Sequence, residues 1–344
     1  MQTDTYTCCS ELMERFSSAV NLDRSILLCT DYDGDAAVEF AESLARGLDD
    51  YPRWIDCRFL YDEEGSKLYE QITLQPEYYP TRTEAEILSR FAEQLPRITG
   101  PVTIVELGSG SSVKTNHLLY SYLSIESRVC YVPVDVSASA LHEAGDAISN
   151  AHPKARVIGI NGIYQDALPL LEKASPTMLV FLGSTIGNLN EQEADSFWRQ
   201  VQTHLPVGDF FLLGFDLVKD PELLNAAYND AAGVTARFTR NLFSRMNREL
   251  GACVDIQYIT HEAAYEPDRQ RMEIFARFDR EQDIHIEPVG RTFQVQAGER
   301  IMTEISRKFR LDAMLAYLER YGLVARKVMT DSREWFAVVL LQRV

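Results

Sequence analysis

Glu106, Gly108 and Gly110 stand in the stretch of this sequence whose residue types and spacing point most directly to chemistry, Val102-Thr-Ile-Val-Glu-Leu-Gly-Ser-Gly-Ser-Ser-Val-Lys-Thr115. The run Val102 to Val105 is short, apolar and β-branched, and reads as a buried strand. Glu106 ends it. Gly108 and Gly110 let the backbone turn sharply and approach a ligand closely, and Lys114 to Leu119 continues as a helix. Strand, acid, glycine turn and helix form the first unit of a nucleotide-binding α/β sheet.

Two kinds of cofactor compete for that turn. A dinucleotide site calls for G-x-G-x-x-G, and Val113 stands here where the third glycine belongs. Glu106 would also repel a pyrophosphate, whereas beside an ammonium it is well placed. S-adenosylmethionine (SAM) carries such an ammonium on its amino-acid end, and E-x-G-x-G opens many of its methyltransferases. Asp135, at the tip of a second strand (Val129 to Val136), can accept both hydroxyls of a ribose. A further candidate surface is the tyrosine-rich run from Arg58 to Glu84, with Tyr61, Tyr69, Tyr78 and Tyr79. Pro76 and Pro80 bias it towards extended backbone, and hydroxyls on a stiff loop suit carboxylate or amine recognition. For any one tyrosine, packing as an amphipathic core edge is the competing reading.

The elements that must position these groups follow the α/β pattern. Val157 to Gly162, Met178 to Leu182 and Phe210 to Asp216 read as third, fourth and fifth strands. Gly183 to Asn188 forms a polar loop at the carboxyl edge, where ligands bind in such sheets. Ala36 to Leu48 has apolar residues at helical spacing. A helix is expected from Thr83, with Thr83 as N-cap and Glu86 at the capping-box position. After Asp220 the pattern changes to helices up to Gly251 and alternating β-rich segments from Cys253 to Lys308. A helix from Leu311 to Tyr321 and a strand from Phe336 to Leu341 return to α/β. The expected division is an N-terminal segment, 1–80, contributing to a substrate domain, a SAM-binding core over 81–218, a substrate-domain insertion over 219–308, and a return to the core over 309–344.

The chain has 344 residues, 46% hydrophobic and 25% charged, enough for two globular domains. With 34 Lys and Arg against 51 Asp and Glu, the net charge of −17 repels nucleic acid and anionic membranes and favours a small substrate. The six cysteines show no C-x-x-C spacing, no signal-like segment opens the chain, and no apolar run approaches the roughly 18 residues of a membrane span. A cytoplasmic protein is expected. The six histidines lack metal-ligand spacing, so no metal is expected.

Seven runs go beyond pattern: Tyr61 to Thr73, Pro76 to Glu84, Glu106-Leu-Gly-Ser-Gly110, Phe181 to Leu189, Asp216-Leu-Val-Lys-Asp220, Tyr228-Asn-Asp-Ala-Ala-Gly-Val-Thr235 and Thr303-Glu-Ile-Ser-Arg-Lys-Phe309. In order, from Tyr61 to the C-terminus, they resemble the signature runs of the histidine N-alpha-methyltransferases of ergothioneine biosynthesis. The resemblance implies a Rossmann-like class I SAM methyltransferase core carrying an inserted α+β substrate-binding domain. It implies trimethylation of the α-amine of L-histidine to hercynine, with SAM as co-substrate; a monomer is expected, although the sequence does not fix the oligomeric state. By the same resemblance Tyr78 and Tyr228 hold the substrate carboxylate and Asn188 contacts the amino-acid head near the reacting nitrogen. Glu304 and Ser306 bind the imidazole, and Tyr61 lies near the transferred methyl. Glu106, Gly108, Ser109, Gly110, Lys114 and Asp135 serve the cofactor, and Tyr164 falls beside the adenine region.

The chain departs from the family pattern at three places. Asn161-Gly-Ile-Tyr-Gln-Asp166 occupies the place of a Gly-Asp-Phe run whose acid takes the adenine amine; either Asp166 moves in or the adenine is held otherwise. Tyr69 stands for a phenylalanine facing the imidazole, and Ile274 for a methionine lining the ring pocket. The residue types make sense on their own terms too. A carboxylate accepts a ring N–H, a hydroxyl serves the other nitrogen, and positions two apart on a strand share a face. A solvated Glu304 paired with Arg307 or Lys308 is the bland alternative. Two other functions compete: an N-methyltransferase of a tryptophan derivative on the same fold, and a nucleotide binder without methyl transfer. An indole has little use for Glu304 and Ser306 together.

Overall fold

The computed structural model describes every residue except 1, 7–8, 22–24, 31–35 and 111–113. Ser111 to Val113 at the tip of the glycine turn, and Cys8, therefore lie outside the described residues. The strands in chain order are β1 (Gln2–Tyr6), β2 (Ile26–Thr30), β3 (Thr103–Leu107), β4 (Val129–Asp135), β5 (Ala155–Asn161), β6 (Thr177–Phe181), β7 (Phe210–Asp216), β8 (Ile259–Glu266), β9 (Arg271–Phe278), β10 (Gln282–Ile286), β11 (Arg291–Val295), β12 (Arg300–Arg307), β13 (Leu323–Thr330) and β14 (Phe336–Arg343). The chain divides into two compact units.

The first unit comprises 1–31, 80–218 and 309–344. Its nine-stranded sheet has the order β1-β2-β5-β4-β3-β6-β7-β14-β13. The strands from β1 to β7 run parallel, while β14 lies antiparallel to both β7 and β13. Parallel strands covered on both faces read as unbroken apolar runs. β7 (Phe-Phe-Leu-Leu-Gly-Phe-Asp) is buried at every position. Successive residues feed two separate cores. Val105, Val132, Ile158, Leu179 and Leu213 belong to one, and Ile104, Tyr131, Val157, Met178 and Leu212 to the other. Period-two alternation thus places a core on each face of the sheet.

The second unit comprises 32–79 and 219–308. It holds the antiparallel sheet β12-β9-β8, the β10–β11 hairpin and helices over Ala36–Asp49, Glu63–Thr73, Pro221–Tyr228 and Val234–Leu250. Along β9, Met272, Ile274, Ala276 and Phe278 are buried and alternate with half-buried polar or larger residues. The helix Val234–Leu250 buries Val234, Phe238, Leu242, Met246 and Leu250, one apolar stripe at four-residue spacing. Gly251, at φ +66°, ends it.

Three expectations need correction. The helix placed at Thr83 begins at Tyr79, and Thr83 is buried inside it, so Thr83 and Glu86 form no cap. Proline is tolerated in the first helical turn, so Pro80 starts this helix instead of extending the loop. Residues 1–31 belong to the nucleotide-type unit, not to the substrate unit with the rest of 1–80, because β1 and β2 extend the large sheet beyond β5. The strand β13 went unread, since its outer face alternates with charged residues. Among the described residues no helix is long and apolar enough to cross a membrane.

The turn before the helix Val234–Leu250 is held by Asp230, which accepts from the amides of Val234 (2.7 Å) and Thr235 (2.8 Å), with Gly233 left-handed at φ +67°. Asp230→Ala should cost about 1–2 kcal/mol by loss of those helix-end acceptors, read as a lower midpoint in urea unfolding. An unchanged midpoint would show that the turn does not depend on this carboxylate.

Candidate functional site

In the first unit the order β5-β4-β3-β6-β7 changes direction at β3, and ligands of open α/β sheets bind outside the carboxyl ends at such a point. The chain leaves β3 through Gly108 and Gly110, at φ +66° and +48°, conformations that a side chain strains. Among the described residues, a Cβ on Gly110 would meet nothing within 4 Å, and one on Gly108 only the Tyr164 hydroxyl, 3.8 Å away. Its glycines are demanded by backbone conformation and, among the described residues, not by packing. The amides of Gly108 and Ser109 both donate to the Val134 carbonyl, tying the turn to β4. At the tip of β4, Asp135 accepts from Gly110 N (2.9 Å) and Ser137 N (3.0 Å). Burial raises the Asp135 pKa, against the hydrogen bonds from the Ser137 and Gly110 amides. This donor and acceptor set is of a kind that fits an adenosyl amino acid: a carboxylate able to accept from hydroxyls, a glycine turn, and the Tyr164 ring, edge-on to Phe181.

Glu106 is 4% exposed, and its Oε2 accepts from Thr115 Oγ1 (2.6 Å) and from the Tyr131 hydroxyl. Burial pushes its pKa up to about 7, against those two hydrogen bonds. One oxygen of the acid expected at the cofactor's ammonium is thus engaged within the fold. Lys114, also expected at the cofactor, gives its ammonium to Glu84. Glu84 is 0% exposed and accepts from Gly183 N with both oxygens (2.9 and 3.0 Å). Gly183 (φ +75°) and Ser184 (φ +58°) turn the chain out of β6, and Ser184 Oγ accepts from Asp216 N at 3.0 Å. This turn leads into a short 3-10 segment, Thr185–Asn188, which leaves Asn188 half-buried at the same carboxyl edge.

The second unit gathers the remaining candidates. Tyr61 packs edge-on against Tyr69 (5.6 Å between centroids) and Phe238 (5.4 Å), Tyr69 against Tyr78 (6.4 Å), and Tyr78 against Tyr228 (6.2 Å). The Tyr78 hydroxyl is held well above its ordinary pKa by burial first and then by Tyr69 and Tyr228, so it stays a neutral donor. Tyr228 ends its helix with the hydroxyl 2.8 Å from Ser306 Oγ, and its carbonyl accepts from His261 Nε2 at 2.9 Å. Burial lowers the His261 pKa, and Thr239 Oγ1 lies 2.8 Å from its Nδ1. On β12 a register shift follows Met302, after which Glu304 lies directly across from Ile274 and Ser306 from Met272. Ser306 is 4% exposed and Glu304 half-buried.

The structure thus brings Tyr61, Tyr69, Tyr78, Tyr228, Ile274, Glu304 and Ser306 into one unit, and Glu106, Gly108, Ser109, Gly110, Lys114, Asp135, Tyr164 and Asn188 into the other. Asp166 Oδ2 accepts from Ile163 N at 2.9 Å and caps its own short helix. Lys308, offered as a partner for Glu304, reaches the hydroxyls of Tyr228 and Ser306. Sequence reasoning missed Glu84, Phe238 and Lys308. Phe238 was findable as part of the apolar stripe of its helix; a buried carboxylate and a buried ammonium leave no periodic signal.

A parallel run flanked by a final antiparallel hairpin, with the last strand inserted beside the fifth of the core, defines the class I SAM-dependent methyltransferases. The model of the SAM-dependent, histidine-specific methyltransferase family matches residues 40–343, and the chain belongs to that family. It is similar to the histidine N-alpha-methyltransferase of Mycolicibacterium smegmatis, 39% identical over 90% of this chain and 97% of the relative. The enzyme of that name from Mycobacterium tuberculosis is 38% identical over 86% and 92%. A 4-dimethylallyltryptophan N-methyltransferase of Claviceps purpurea is 28% identical, over 54% of this chain and 58% of the relative.

The raised Glu106 pKa carries a sign. A carboxyl raised on folding stabilises in its protonated form, fully below its ordinary value of 4.5, and that stabilisation is lost as the pH rises through about 7. Glu106→Gln keeps a neutral acceptor for Thr115 and Tyr131. Its unfolding free energy relative to wild type, read from urea melts, should climb from about pH 5 to about pH 8, approaching roughly 3 kcal/mol. A difference independent of pH would place the Glu106 pKa in the ordinary carboxylate range.

Proposed function

We propose that this protein trimethylates the α-amine of L-histidine to hercynine, the first step of ergothioneine biosynthesis. The observation that carries the reading is the meeting, within one unit, of four tyrosines with a carboxylate and a hydroxyl two residues apart on β12. SAM supplies an electrophilic methyl on its sulfonium. Gly108, Ser109 and Gly110 admit it closely, Asp135 takes its ribose, and Glu106, Lys114 and Tyr164 complete its surroundings.

Tyr78, kept neutral by burial, donates its hydroxyl to the substrate carboxylate, and Tyr228, whose own hydrogen goes to Ser306, lines the site beside it. Asn188 orients the amino-acid head. Glu304 accepts the imidazole N–H and Ser306 serves the other ring nitrogen, with Ile274 and Tyr69 lining the ring. The amine must be neutral to attack, so a proton leaves to water before each transfer. The protein's contribution is then alignment of lone pair, methyl and sulfur for direct displacement, not acid–base chemistry. As methyls accumulate, the nitrogen becomes a fixed cation, and the Tyr61 ring stabilises it by about 0.5–2 kcal/mol through cation–π attraction.

A tryptophan derivative as substrate is the second reading, and the Claviceps relative keeps it in view. Glu304 and Ser306 weigh against it, because an indole offers one donor and no acceptor. The net charge of −17 accords with a small amino-acid substrate in the cytoplasm, acting without nucleic acid or membrane. We read the protein as a monomer that needs no metal.

Mass spectrometry of L-histidine incubated with the protein and SAM should show gains of one, two and three methyl groups; no gain on histidine with gain on a tryptophan would favour the second reading. Glu304→Ala should lower kcat/KM for histidine by an amount equivalent to about 1–3 kcal/mol, the cost of an unpaired buried donor, and narrow the preference over tryptophan. Unchanged histidine kinetics would remove Glu304 from the site.

A further inference from the structure

Behind Tyr228 and Ser306 lies an ammonium that the mechanism above does not use. Lys308 is 2% exposed, and its Nζ donates to the Tyr228 hydroxyl oxygen (2.9 Å) and to Ser306 Oγ (2.9 Å). The Tyr228 hydroxyl itself donates to Ser306 Oγ at 2.8 Å, closing a triangle. The ammonium also sits 4.9 Å from the centre of the Tyr228 ring. All three residues belong to the same unit.

The triangle restricts what Ser306 can do. A lysine ammonium only donates, whereas a serine hydroxyl normally chooses: it offers one hydrogen and two lone pairs, and turns to suit its partner. Here Ser306 Oγ accepts once from Lys308 and once from Tyr228, so both lone pairs are engaged. Its own hydrogen is what remains for a ligand. Glu304, on the same face of β12 two residues earlier, makes the opposite demand when ionised, since a carboxylate only accepts.

We propose that Lys308 is a positioning residue that fixes Ser306 as a hydrogen-bond donor, so that the pocket selects a ring carrying one N–H and one bare acceptor nitrogen. Neutral imidazole has one of each. An imidazolium has two donors and no acceptor, an indole or pyrrole has one donor and no acceptor, and a phenyl ring has neither. Lys308 therefore sharpens selection of the ring without touching it. The inference deepens the proposed function and rests on the placing of the imidazole against Ser306. A site whose buried polar groups demand a partner rejects an analogue lacking that partner far more strongly than an apolar pocket does.

The test compares L-histidine with the two pyrrolylalanines, each of which keeps one ring N–H and replaces the other nitrogen by CH. Wild type should prefer histidine over the better pyrrole by roughly 100-fold or more in kcat/KM. Lys308→Met keeps the length of the side chain but no donor, and the preference should fall by about 10-fold or more. In a Ser306→Ala background the same substitution should leave the preference within about 2-fold, because its effect passes through Ser306. Thermal unfolding and calorimetric binding of S-adenosylhomocysteine confirm that each variant is folded. If Lys308→Met does not fold, Lys308→Leu, which likewise carries no donor, makes the same comparison. A merely structural lysine would slow both substrates by one factor and leave the ratio unchanged, which overturns the inference alone. Loss of histidine methylation in wild type, or an unaltered preference in Ser306→Ala, would instead overturn the placing of the ring on which it rests.

Discussion

A single buried carboxylate organises the carboxyl edge of the large sheet. Glu84 reaches from the helix Tyr79–Phe91 to the Gly183 amide and to the ammonium of Lys114, which follows the glycine turn. It also lies against β7 so closely that a Cβ on Gly214 would sit 2.0 Å from its Oε1. Taking a carboxylate out of water costs several kcal/mol, and removing one partner of such a pair typically costs about 3–5 kcal/mol. A charge held at that cost, with its oxygens directed to two turns, does more than fill space. It sets where β6 ends and where the helix after the glycine turn begins. Those two points frame the cradle formed by Gly108, Gly110 and Asp135.

The same logic explains why this cradle was legible in the sequence and its support was not. Gly108 and Gly110 are required by positive φ, and Asp135 by its place at a strand tip, so each leaves a mark in residue type and spacing. The parallel strands announce themselves as apolar runs. Glu84 resembled any acid in an exposed helix, and its identification needs the distant Gly183 and Gly214. The helix start was misread for a related reason: a proline that usually marks an extended segment is equally suited to a first helical turn. At the N-terminus, the pairing of β1 and β2 with β5 is a non-local fact with no local signature.

The smaller unit shows a different balance. The motif Tyr228-Asn-Asp-Ala-Ala-Gly-Val-Thr235 stood out as a signature run, and its local sense is now clear. Asp230 and Gly233 build the turn that ends one helix and begins the next, which leaves Tyr228 at a helix end with its hydroxyl towards Ser306. Tyrosines scattered over Tyr61, Tyr69, Tyr78 and Tyr228 become one chain of edge-on rings, an arrangement favoured by the ring quadrupoles. Lys308 could be read only once this packing was known, since its partners come from a helix far away in sequence and from its own strand. Between them, the tyrosines and the polar triangle bring together hydroxyls, one buried ammonium and aromatic faces.

The central claim is that the larger unit holds an adenosyl amino acid at the glycine turn and the smaller one holds a free imidazole amino acid. Calorimetric titration of the purified protein tests it most directly, first with S-adenosylhomocysteine and then with L-histidine. The account predicts saturable one-to-one binding of each, with the adenosyl ligand lost when Gly110 is replaced by valine and histidine binding lost when Tyr228 is replaced by alanine. Heat-silent titrations with both ligands, in a protein that unfolds cooperatively, would contradict it.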